Sequence, residues 1–180
     1  VSSHMSSIRE VLPGRDYFLP QTQEKYDPLT IAENDFRNVV CKKPCNIAKA
    51  IYTTLTGISP LIAEEICYRA SIDGNDAAQS LDENASVHLY HTFKRLIEQV
   101  QEGNFSPNII YHGEEPVEYA VVPLTQYGPD YHSETFESVS EMLETYYASK
   151  EILTRIRQKS SDLRRIVQTC LLYTSDAADE

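Results

Sequence analysis

Apolar residues never run long enough in this 180-residue chain to form a membrane-crossing helix, and its first residues lack the apolar centre of a secretory signal. These absences concern the sequence itself and say nothing of what flanks it. Glycine is scarce, with six residues, and none of them builds a loop that cradles phosphates. Cysteine is scarce too. Cys41 and Cys45 lie close together, but no second pair and no nearby histidine completes a zinc quartet, and Cys67 sits beside Ile66 in an apolar stretch. The expected state is reduced, mostly buried thiols, as in a cytosolic protein. No nucleophile motif is present, and the carboxylates are scattered rather than paired. The sequence therefore predicts a protein that is not an enzyme and has no catalytic, cofactor-binding or metal-binding residues.

Positive charge is also in short supply. Sixteen Lys and Arg face 27 Asp and Glu, for a formal charge of −11, and the last three acidic residues, Asp176, Asp179 and Glu180, account for only three of it. An acidic body excludes nucleic-acid binding spread over the whole surface, so any such contact must be local. With 41% hydrophobic and 24% charged residues, the chain can build one ordinary core, or a core plus an extension.

What is present centres on residues 57–70, GISPLIAEEICYRA. Ile47, Ile51 and Leu55 before it fall at helical spacing. Gly57 follows where a left-handed C-terminal cap belongs, Ser59 can cap the next helix, and Pro60 suits a first helical position. Leu61, Ile62, Ile66 and Ala70 give the second helix an inward face. This is a helix-hairpin-helix pattern whose turn residues are Gly57, Ser59 and Pro60. In nucleic-acid proteins such a turn holds a phosphate on backbone N–H groups, usually with a second glycine and a polar pair. Here Ser59, Leu61 and Ile62 take those places, which favours burial. Glu65 and Arg69 form a favourable i, i+4 pair, read as solvated.

Elsewhere the pattern predicts an extended stretch over residues 1–28 with Arg15 and Lys25 as exposed cations, and a short helix over 34–43 broken by Pro44. It predicts a helical turn near 77–81 and a longer helix over 83–102 carrying His88 and His91 on its surface. Residues 108–124 change to a period of two and read as a β-hairpin, followed by a loop over 125–135. Ser138 to Glu141 fits a capping box opening a helix without proline to Thr169. Met142, Ile156 and Leu163 share one heptad position, and Tyr146, Leu153 and Val167 another, with Ser149 and Ser160 as interruptions. The helix should begin on the body and leave it as one strand of a coiled coil with an exposed seam. It also carries the local cation cluster: Lys150, Arg155, Arg157, Lys159, Arg164 and Arg165 against Glu151 and Asp162. These six are either RNA-contacting residues or a solvated coiled-coil face. The fold class is α+β, predominantly α.

Three blocks occurring in the same order, LPGRDY at 12–17, the hairpin at 57–70 and PLTQYGPDYHSETFESVSEMLETYY at 123–147, resemble the NFACT family, which includes bacterial ribosome quality-control factors also called fibronectin-binding proteins. The resemblance covers nearly all of residues 1–169. It implies an internal fragment: a connector at 1–28 from a missing N-terminal lobe, a helix-hairpin-helix module at 29–105, a β-hairpin and loop at 106–137, and the start of a coiled coil at 138–169. Residues 170–180, CLLYTSDAADE, read instead like a translated sequencing adapter, with a native acidic tail as the alternative. The resemblance further implies a cytoplasmic factor that binds stalled large ribosomal subunits and tRNA, has no membrane partner, and acts with the remaining lobes of its full-length chain. Such a factor directs untemplated alanine tailing, with the peptide-bond chemistry left to the ribosome. The family's tRNA-contacting acidic-basic dipeptide lies in the N-terminal lobe and maps to no residue here. The competing readings are a fibronectin-binding surface adhesin and a DNA-binding helix-hairpin-helix protein.

Overall fold

The computed structural model describes residues 25–176, with side chains to residue 170. The connector at residues 1–24, including Arg15, and the tail end at 177–180 lie outside these residues. The described elements run α1 (Glu33–Val39), α2 (Ile47–Thr54), α3 (Pro60–Arg69), a 3₁₀ turn (Ala78–Ser80), α4 (Glu83–Gln101), β1 (Asn108–His112), β2 (Glu115–Ala120), β3 (Tyr131–Thr135) and α5 (Val139–Asp176).

Capping residues set the helix starts. Asn46 Oδ1 accepts the Lys49 N–H at 2.8 Å, Ser59 Oγ that of Ile62 at 3.3 Å, and Asp82 Oδ1 that of Ala85 at 2.7 Å. Gly57 has φ +75°, the left-handed conformation that ends α2 without a Cβ clash. Ile47, Ile51 and Leu55 meet Ala63 and Ile66 of α3, all fully buried. Leu89, Phe93 and Leu96 of α4 close the same core, where Phe36 stacks on Phe93 at 5.1 Å. Each large side chain buried in this way contributes about 1.5–3 kcal/mol.

The strands form one antiparallel sheet in the order β2-β1-β3. Central β1 is buried on both faces. Ile110 joins the helical core, while Ile109 and Tyr111 join a second cluster with Met142 of α5. The sheet thus lies between the helical module and α5. The Asn108 amide ties its end down, donating to the carbonyls of Ser106, Ala120 and Val122 at 2.7, 3.3 and 2.8 Å. The predicted loop over 125–135 contains the third strand. YHSET shows no apolar alternation because every residue of β3 is exposed, and backbone pairing to β1 alone makes it a strand.

Ser138 Oγ accepts the Glu141 N–H at 3.1 Å and starts α5. Met142, Leu143 and Tyr146 pack on the sheet. From residue 154 to residue 170 every side chain is exposed, so the helix projects from the body, with Arg157 still reaching Glu115 of the sheet. It continues through Asp176, beyond Cys170. At 1.5 Å per residue it is about 55 Å long.

Candidate nucleic-acid interface

The hairpin turn and the cation cluster offer very different surroundings. A Cβ built on Gly57 would meet nothing within 4 Å, so the turn is open to one side. Beside it Gly57, Ile58 and Ile62 line a groove of about 650 Å³ shared with Leu96, Ile97, Val100 and Val121, in which Lys25 is the one cation among the described residues. Ser59 spends its hydroxyl on the α3 cap. The turn therefore presents an apolar wall with one ammonium group, Lys25, and one carboxylate, Asp27, among its lining.

Next to this turn, α3 carries a group that the spacing misjudges. Glu65 is not solvated. It is fully buried, and its two carboxylate oxygens accept from the Thr125 N–H at 3.0 and 2.9 Å, the Thr125 hydroxyl at 2.7 Å, the Gln126 N–H at 3.1 Å and Arg69 Nε at 2.7 Å. Arg69 in turn donates through Nη2 to the Pro123 carbonyl. Helical spacing places Glu65 beside Arg69 correctly. It cannot show that the PLTQ segment, sixty residues on, closes over the pair. The clasp fixes where the chain leaves β2, and so where β3 and α5 begin.

Three of the six predicted cations are paired. Glu115 opens β2 after the tight turn at Gly113, whose φ is +61°. Its carboxylate accepts from Arg157 Nη2 at 2.7 and 2.8 Å and lies 3.8 Å from Lys150 Nζ. The hydrogen bond from Arg157 is the main cause holding the Glu115 carboxyl below the usual range. Burial opposes it, and the charges of Arg157, Lys150 and His112 add to it. Lys150 Nζ also stands 5.6 Å from the centre of the Tyr146 ring. Arg155 pairs with Glu151 at 2.7 Å. Lys159, Arg164 and Arg165 are exposed and meet no carboxylate among the described residues. Glu115 is the member of this charge cluster that sequence reasoning missed. It lies 42 positions from Arg157, and only the fold brings the two together.

The histidines of α4 and the thiols of Cys41 and Cys67 lie outside the helix that carries the cation cluster. His88 and His91 are exposed on α4. Burial pushes the Cys67 thiol up to about 12, with Glu64 and Asp73 adding to it, which makes it a poor nucleophile. Burial also raises Cys41. No group of His, Cys, Asp or Glu among the described residues could hold a metal ion, and no described helix is long and apolar enough to cross a membrane.

A helical hairpin, a small sheet clasped to it and a projecting helix define the class of protein, and comparison with known proteins gives the family. The family model for NFACT N-terminal and middle domains matches residues 1–177, and the chain belongs to the NFACT family. It is 32% identical over 168 residues to the Rqc2 homolog RqcH of Bacillus subtilis, covering 93% of this chain and 27% of that protein. It is 25% identical over 186 residues to the archaeal Rqc2 homolog aRqcH of Methanocaldococcus jannaschii, covering 95% of this chain and 27% of that protein. The chain thus spans about a quarter of the length of the curated relatives it matches. In fold it is similar to the crystal structure of the fibrinogen binding protein from Staphylococcus aureus, with a TM-score of 0.57 and 24% identity over 76% of this chain and 46% of that one.

Proposed function

We propose that this chain is part of a cytoplasmic ribosome quality-control factor that binds stalled large ribosomal subunits and tRNA and directs untemplated alanine tailing of nascent chains. The family match over residues 1–177, together with the relatives named as Rqc2 homologs, carries this reading. A binding role without catalysis also agrees with the site. Its notable polar groups are cations on a projecting helix, and burial raises the Cys41 and Cys67 thiols. RNA contact belongs to α5, where Lys159, Arg164 and Arg165 are exposed on an otherwise acidic chain. The hairpin turn at Gly57, Ser59 and Pro60 serves packing, since its groove is apolar.

Co-sedimentation of the full-length protein with large ribosomal subunits tests this. Wild type should pellet with subunits, and nuclease should abolish pelleting. Reversing the charges of Lys159, Arg164 and Arg165 should weaken it about tenfold or more, since affinity falls with every phosphate that the protein no longer neutralises. An unchanged profile would remove α5 from the RNA surface. Fibrinogen or fibronectin binding has no support of its own here, because the likeness to the Staphylococcus aureus protein concerns the fold.

A further inference from the structure

The Glu115 carboxylate occupies a defined place between two cations of α5. One guanidinium nitrogen of Arg157 reaches both of its oxygens, and Lys150 Nζ approaches from about two helical turns earlier. Lys150, Arg157 and Arg164 are seven residues apart, so they share one face of the helix. Arg164 continues that row with no carboxylate opposite it among the described residues. A carboxylate and a phosphodiester are read by the same donors, because both present two anionic oxygens to a charged N–H fork. We propose that Lys150 and Arg157 form a phosphate site for RNA, and that Glu115 fills it until a phosphodiester displaces the carboxylate.

This inference rests on the RNA-binding reading of α5 and deepens it. Arg164, Arg165 and Lys159 would make the first contact, since no carboxylate among the described residues competes for them. Lys150 and Arg157 would join only by exchanging one anion for another. The exchange is feasible because the pair is at the surface, with Arg157 66% and Glu115 39% exposed. Exposed ion pairs are weak enough for a polyanion to break. Glu115 also sits beside the turn between two strands, so it can swing away from Arg157 without disturbing the sheet core.

The exchange has a distinctive salt signature. A phosphate that takes Lys150 and Arg157 sheds its condensed counterions, but the displaced Glu115 carboxylate regains ions from solution, so the net release is smaller while Glu115 is present. Glu115→Gln should therefore tighten binding of fluorescently labelled tRNA by about three- to tenfold, the span set by one or two competing surface ion pairs. It should also steepen the slope of log affinity against log salt by about one to two. Glu114→Gln removes the same charge one residue away, from a side chain with no cation partner among the described residues, and should change both quantities far less. Lys150→Gln with Arg157→Gln should weaken binding in the Glu115→Gln background more than in wild type. Far-ultraviolet circular dichroism and thermal melting confirm that each variant is folded.

Equal effects of Glu115→Gln and Glu114→Gln would overturn the exchange and leave only general electrostatics. Loss of binding on changing Lys159, Arg164 and Arg165, with none from Lys150 and Arg157, would overturn the phosphate site while the RNA reading stood. Indifference of all five cations would sink the RNA-binding reading of α5.

Discussion

Glu65 gathers donors from two parts of the chain that are far apart in sequence, and its burial makes their geometry strict. Removing one side of a buried charged network leaves the other side unsatisfied, which costs more than the network itself contributes. Glu65→Ala should therefore lower unfolding free energy by about 3–5 kcal/mol. Glu65→Gln should cost about 1–3 kcal/mol, since its amide nitrogen would face backbone N–H donors. Urea denaturation reads both, and a loss below about 1 kcal/mol for the alanine variant would show that the clasp is dispensable. At this scale the sequence is legible where chemistry is local. Ser59 and Ser138 cap the helices that their positions predict, because a cap and its N–H partner lie three residues apart. The burial of Glu65 is illegible because its partners, Thr125 and Gln126, are brought to it by tertiary folding.

Among the elements, α2, α3 and α4 follow from apolar periodicity within a residue or two. β3 does not, since an exposed edge strand has no inward face to pattern. For α5 the heptads announce departure from the body but not the angle of departure. Met142 and the Tyr146 hydroxyl, which donates to the Val117 carbonyl at 3.2 Å, hold its first turns on the sheet. Glu115 then grips it at Lys150 and Arg157, past the last buried residue. This grip depends on pH with a definite sign. The folded carboxyl lies below its ordinary value of 4.5, so its contribution is complete above that value and is lost as pH falls through the lower folded one. Spin labels on residues 114 and 161 should report a narrow distance distribution at neutral pH that broadens only under acid. In Glu115→Gln the distribution should be broad at every pH. A distribution that is equally narrow in the variant would mean that packing alone aims the helix.

The whole molecule combines an acidic body with a helix whose apolar stripe is uncovered. Ile152, Ile156, Leu163, Ile166 and Val167 are each more than half exposed, a density that a soluble surface seldom carries without a partner. Burying such a stripe in a helix pair would gain about 1 kcal/mol per side chain, against an association cost of about 4–15 kcal/mol. Pairing of two copies should thus be weak. The flanking charges weaken it further. With Met142, Ser149, Ile156 and Leu163 at d, the following e positions hold Lys150, Arg157 and Arg164, and Lys159 stands at g. No acid occupies an e or g position over residues 150–166, so cations would face cations whichever way two copies ran. Salt screens that repulsion and strengthens apolar burial. Self-association should therefore increase with salt, whereas the proposed RNA binding by the same helix should decrease with it. Sedimentation equilibrium of the 20.5 kDa chain should show its average mass rising with concentration, more steeply at about 1 M than at about 0.1 M sodium chloride. Ile156→Glu with Leu163→Glu should abolish the rise. Association that weakened with salt, or survived both substitutions, would place the contact away from the seam. The opposite salt responses then separate the two surfaces of α5 in a single protein, one apolar and closed by repulsion, the other cationic and open to an anion.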